Sequence, residues 1–116
     1  MIELPNLEEY GELINKISEY SSLVSAKEIL IKIKEAEIVQ EAISNIKYFQ
    51  NNKPPSQSFI DSTFKYTGFE GELIPLRKEL GDLEAKLEYY KLRYRYLSTL
   101  IEIWRTQEAN NRVLSS

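Results

Sequence analysis

Two groups of side chains have the types and spacing for chemistry. Glu28, Glu35, Glu37 and Glu41 fall within one short stretch. Neighbouring carboxylates can share a proton as acid and base, or hold a divalent cation. Lys27, Lys32 and Lys34 interleave with them, however, and that mixture reads as a solvated helix face laced with ion pairs. The chain has no histidine and no cysteine. It therefore lacks the commonest general base, the commonest metal ligand and any thiolate. Helical bundles that bind two metal ions pair Glu with His, and that pattern is missing. No glycine-rich phosphate loop occurs either. The chain reads as a non-enzyme, with no catalytic residue, no cofactor and no metal.

The second group is basic. Lys86, Lys91, Arg93 and Arg95 are interleaved with Tyr89, Tyr90, Tyr94 and Tyr96. Cations that track a phosphate backbone, with aromatic rings that stack on bases, are the means of binding single-stranded nucleic acid. The opposing reading is that these cations flank a helix interface. Overall charge does not favour nucleic acid, since it is −3. Residues 1–58 hold 9 acids and 6 bases, and residues 59–116 hold 9 of each, so neither half is a charged tail.

These groups must be positioned by helices. From Leu73 to Trp104 the apolar residues are Leu73, Leu76, Leu80, Leu83, Leu87, Tyr90, Tyr94, Leu97, Ile101 and Trp104. Their spacing alternates three and four throughout, which is a heptad seam. Lys86, Arg93 and Lys91 then flank that seam. Tyr89, Tyr96 and Ile103 recur every seven residues outside it, and with Leu100 they widen the apolar face. This face reads as a subunit contact, since tyrosine suits half-wet interfaces.

The first half predicts a helix over about 7–50. Pro5-Asn6 starts it, with Asn6 as N-cap and Glu9 as the reciprocal partner of a capping box. Tyr10, Ile17, Val24, Ile31 and Ile38 mark its seam. The companion positions are expected at Leu7, Ile14, Ser21, Glu28, Glu35, Ala42 and Phe49, which are apolar only at the ends. Leu23, Ala26, Leu30 and Ile33 form a second stripe on another face. Serines 21, 22 and 25 allow a kink near 20–26. Asn51-Asn52-Lys53-Pro54-Pro55 ends the helix. A connector over about 51–72 follows, with Ser56 or Ser58 capping a short helix that ends near Gly68, or with Phe64-Lys65-Tyr66-Thr67 extended instead. Its aromatic residues mean that it is packed or used for binding. The last helix is expected over about 73–112, with Pro75 in its first turn.

The expected fold is all-α, a single domain forming an antiparallel two-helix coiled-coil hairpin with a short packed connector. A helix with two apolar faces needs two partners, so hairpins should assemble into a helical bundle; the alternative is that the connector folds back over the extra face. A homo-oligomer, dimer or tetramer, is the expected partner, with a different protein as a further possibility. No apolar run reaches the roughly 18 residues a membrane span requires, and the N-terminus lacks the basic and apolar regions of a signal peptide. A cytoplasmic location is expected.

The pattern Tyr66-x-Gly68, Glu72-Leu73-x-Pro75-Leu76-Arg77-x-x-Leu80-x-x-Leu83-Glu84, then Trp104-Arg105-x-x-Glu108-x-Asn110-x-Arg112 resembles small coiled-coil hairpin proteins encoded in bacteriophage genomes. The resemblance covers the second half of the chain. It implies a phage accessory role without an assigned activity or functional residues. The function expected is a self-associating structural or interaction protein. The alternative is a nucleic-acid-binding accessory factor in replication or recombination, using Lys86, Lys91, Arg93 and Arg95.

Overall fold

Asn6 opens the first long helix: its side-chain carbonyl accepts the Glu9 N–H at 3.1 Å. The computed structural model describes residues 3–115. It contains two long helices, α1 (Leu7–Ser44) and α3 (Leu73–Ser115). Between them lie a 3-10 turn (Ile46–Tyr48), the short helix α2 (Gln57–Ile60) and a π-helical turn (Asp61–Lys65). Among the described residues there is no strand. The chain is all-α, and α3 returns antiparallel to α1. It divides into two units, one joining the stretch up to Ser22 with that from Glu84 onward, the other Leu23–Leu83.

In the first unit, contacts run in opposite directions along the two helices. Glu9 meets Arg93 at 2.8 Å. Tyr10 stacks on Tyr94 with ring centres 4.8 Å apart, and Tyr20 packs on Tyr90 at 5.3 Å. The α1 side of this seam differs from the expected one. Leu13 is buried and Tyr20 is half-buried, whereas Leu7 and Ile14 are exposed. The companion positions here lie three residues after Tyr10 and Ile17, not three before. Glu9 does not close a capping box, because the Arg93 guanidinium takes its carboxylate.

In the second unit the buried residues of α1 are Val24, Ile31, Ile38 and Ala42. Lys27 and Glu35 also face inward and are half-buried. From Lys27 the inward positions step by four twice, to Ile31 and Glu35, before the three-four alternation resumes. Such a stutter shifts the phase of the seam. Each inward charge meets an opposite one from α3: Lys27 with Glu79 at 2.7 Å, Glu35 with Arg77 at 2.6 Å. Helix α1 is unbroken through 20–26 despite the serines.

Helix α1 ends at Ser44, short of residue 50. Asn45 turns to extended geometry and its side chain accepts the Lys47 N–H, starting the 3-10 turn. A side chain that offers the backbone such a bond competes with the helix. Asn51 and Asn52 both take positive φ, 52° and 65°, and Gln50 and Lys53 exchange two backbone hydrogen bonds across them. Asparagine tolerates that conformation better than most residues. Ser56 then caps α2, accepting the Phe59 N–H at 3.2 Å.

The connector is packed. Tyr48 stacks on Phe69 at 4.3 Å, and Phe64 lies against both, with Phe59 on its edge. Ile60 and Leu73 are fully buried. Glu72 accepts the N–H groups of Glu70 at 2.8 Å and Phe69 at 3.1 Å. Those bonds hold its carboxyl below the usual carboxylate value, the Glu70 N–H first. Arg77 ties the pieces together. Its Nε donates to the Tyr66 carbonyl at 2.7 Å, its guanidinium lies 4.1 Å from the Tyr66 ring centre, and its far nitrogen reaches Glu35.

Gly68 takes φ of +89° and is buried, and a Cβ there would collide with the Glu72 carboxylate. Gly81 sits exposed within α3, and a Cβ would meet nothing. Alanine at the two positions should act oppositely. Gly81→Ala should raise stability by about 0.5–1 kcal/mol, the helix-interior cost of glycine. Gly68→Ala should lower it by more than about 1 kcal/mol. Urea unfolding followed by circular dichroism measures both.

Candidate interaction surfaces

The ten residues of the predicted α3 seam all face inward. Leu73 and Leu97 are buried; Leu76, Leu80, Leu83, Leu87, Tyr90, Tyr94, Ile101 and Trp104 are half-buried. A pair of helices covers one stripe on each, and half-burial is what a seam with open flanks gives. Tyr10 and Tyr94 carry polar tips into this seam. Their hydroxyls are 2.9 Å apart, and Ser98 donates to Tyr10 at 3.2 Å. The Tyr10 hydroxyl is easier to ionise than a free phenol, chiefly because of the Ser98 bond, and the Tyr94 hydroxyl is harder, chiefly because of Tyr10.

The basic run does not form one face. The Arg93 guanidinium is tied to Glu9 by bonds of 2.8 and 3.4 Å and lies 5.2 Å from the Tyr96 ring centre. Lys86 sits over the Tyr20 ring at 5.6 Å, its ammonium 3.5 Å from the hydroxyl. Lys91 and Arg95 are exposed. They project from α3 about 140–180° away from Lys86 in angle, at 100° per residue. The carboxylate group is likewise spread out. Glu35 bonds Arg77, Glu37 is 3.8 Å from Lys34, Glu41 accepts from Asn45, and Glu28 is exposed. Among the described residues no acidic group has the arrangement of a metal site.

What remains open is apolar. In the second unit, α1 exposes Leu23, Ala26, Leu30 and Ile33, with Ile29 beside them. The connector does not cover this stripe. In the first unit, α3 exposes Ala85, Tyr89, Leu92, Tyr96, Thr99 and Ile103. Tyr89, Leu92 and Tyr96 are 63%, 51% and 54% exposed. Their steps run four, three, four, three, four, so α3 carries a second seam. Tyr89, Tyr96 and Ile103 were legible as a recurring set. Leu92, Ala85 and Thr99 complete the seam, and the same three-four count applied to the opposite face finds them. Among the described residues no helix is long and apolar enough to cross a membrane.

No protein-family profile matches the chain, and no curated protein and no solved structure matches it.

Arg93 holds the Glu9 carboxyl below its usual value, first through the hydrogen bond. A carboxyl lowered on folding adds stability that is complete above the ordinary carboxylate range and disappears as pH falls through the lowered value. Glu9→Gln should therefore leave a shallower loss of stability between about pH 5 and pH 2 than the parent shows. Thermal melts across that range check it; parallel acid limbs would rule the pairing out as a contributor.

Proposed function

We propose that this protein is a non-enzymatic interaction module that works by assembling with further copies of itself, as a phage-type accessory hairpin would. The observation that supports this best is the pair of exposed three-four stripes, one on α1 and one on α3. A helix stripe of that spacing is the form in which one helix recognises another. Solvated helices normally place charge there, and contiguous exposed apolar patches mark contact sites. A four-helix bundle would give each stripe a partner.

The reading as a nucleic-acid binder has less support. Two of its four cations are already engaged within the chain, and the other two lie on a different side of α3. Binding to phosphate would show a steep loss with salt.

Sedimentation equilibrium on the purified chain at low and moderate salt tests the proposal. The expected result is a dimer or tetramer at micromolar concentration. A monomer up to the millimolar range would overturn self-association. Fluorescence anisotropy with a labelled oligonucleotide should show no salt-sensitive binding.

A further inference from the structure

We propose that the second seam of α3 pairs antiparallel with the same seam of a second copy, in one register fixed by Arg95 and Glu102. This deepens the self-association reading and rests on it.

The flanks of the seam carry the argument. On one side lie Lys86 and Arg93, which are engaged with Tyr20 and Glu9 of α1. The other side carries Glu88, Arg95 and Glu102, all exposed. No salt bridge engages Arg95 among the described residues, while Glu102 has only the loose intrahelical contact to Arg105 at 3.4 Å. These flanking residues recur every seven positions, so they face their counterparts on a paired helix.

Of the arrangements that keep the stripes in contact, the four with the longest overlap are separated by charge. A parallel, in-register pair leaves Arg95 against Leu100 of the second copy. An antiparallel pair centred between Leu92 and Tyr96 sets Arg95 against itself and Glu88 against Glu102. Moving the centre one half-heptad toward the N-terminus pairs Glu88 with Arg95 but places Ile103 opposite Lys78. Moving it as far toward the C-terminus pairs Arg95 with Glu102 of the second copy, twice by symmetry. In that register Leu92 faces Ile103, Tyr96 faces Thr99 and Tyr89 faces Thr106, and no residue of the stripe meets a charge; on the far flank Arg93, already engaged by Glu9, lies opposite Leu100. Its layers run from Ala85 to Asn110, about 39 Å of helix at 1.5 Å per residue.

Arg95→Glu and Glu102→Arg each turn two attractions into two repulsions and should weaken the dimer by about tenfold or more, while Arg95→Glu with Glu102→Arg should recover affinity to within about threefold. Both residues are exposed, so helicity should be unchanged in all three variants. Register is read by disulfide trapping, which is clean because the chain has no cysteine. Mixed Leu92→Cys and Ile103→Cys chains should cross-link to each other in preference to themselves. If the parent associates but the single charge variants do so equally well, or the double variant fails to recover, or Leu92→Cys cross-links mainly to itself, the register is wrong and self-association stands. A monomeric parent overturns both. Leu30→Asp should leave this pairing intact; its loss there would assign the contact to the α1 stripe instead.

Discussion

A helix packed against one neighbour can bury one stripe, and this chain has two stripes on each long helix. That constraint governs the rest of the structure. The α1 and α3 stripes that meet are held by apolar contacts along both units and by stacked tyrosines in the first. Those left over remain in solvent. Burial of apolar area is worth roughly 25 cal/mol per Å², so stripes of Leu, Ile and Tyr left wet are a standing drive toward association. In the pairing proposed for them, the charges alongside select the register.

The seam is not uniformly apolar, and its polar positions are arranged by sign. Lys27 and Glu35 face inward where the phase of α1 shifts, and α3 answers them with Glu79 and Arg77. Charges that are half-buried lose stability if left alone, and a well-placed opposite charge offsets that loss. Arg77 does this while also holding the Tyr66 carbonyl and ring. One planar guanidinium thus ties α1, α3 and the connector at one point, a task suited to its fixed fork of donors.

The connector shows why a long loop can be ordered. Its aromatic rings pack on one another, Ile60 and Leu73 are fully buried, and Glu72 satisfies backbone N–H groups that the turn at Gly68 would leave unpaired. Ordering backbone costs about 1–2 kcal/mol per residue, so such a segment stays folded only where it buries enough apolar surface.

Two long antiparallel helices, the three-four spacing of α3, a short connector helix capped at Ser56 or Ser58 and a helix stop near Gly68 could be read from the sequence. The reason is that heptad spacing, serine before a helix and glycine after one act locally, through periodicity and short-range hydrogen bonds. Only the tertiary structure decided which side of Tyr10 and Ile17 faces inward, placing Leu13 and Tyr20 in the seam and leaving Leu7 and Ile14 outside. Both choices satisfy the same local count, and the partner helix selects between them. The same holds for Glu9, drawn from its own helix cap by Arg93, a residue 84 positions away. It holds for the basic run, whose four charges look continuous along the chain. Helical rotation parts them, and α1 engages Arg93 and Lys86 while Lys91 and Arg95 stay in solvent. Contacts between residues far apart in sequence carry no local signature, and they set the faces that this protein presents.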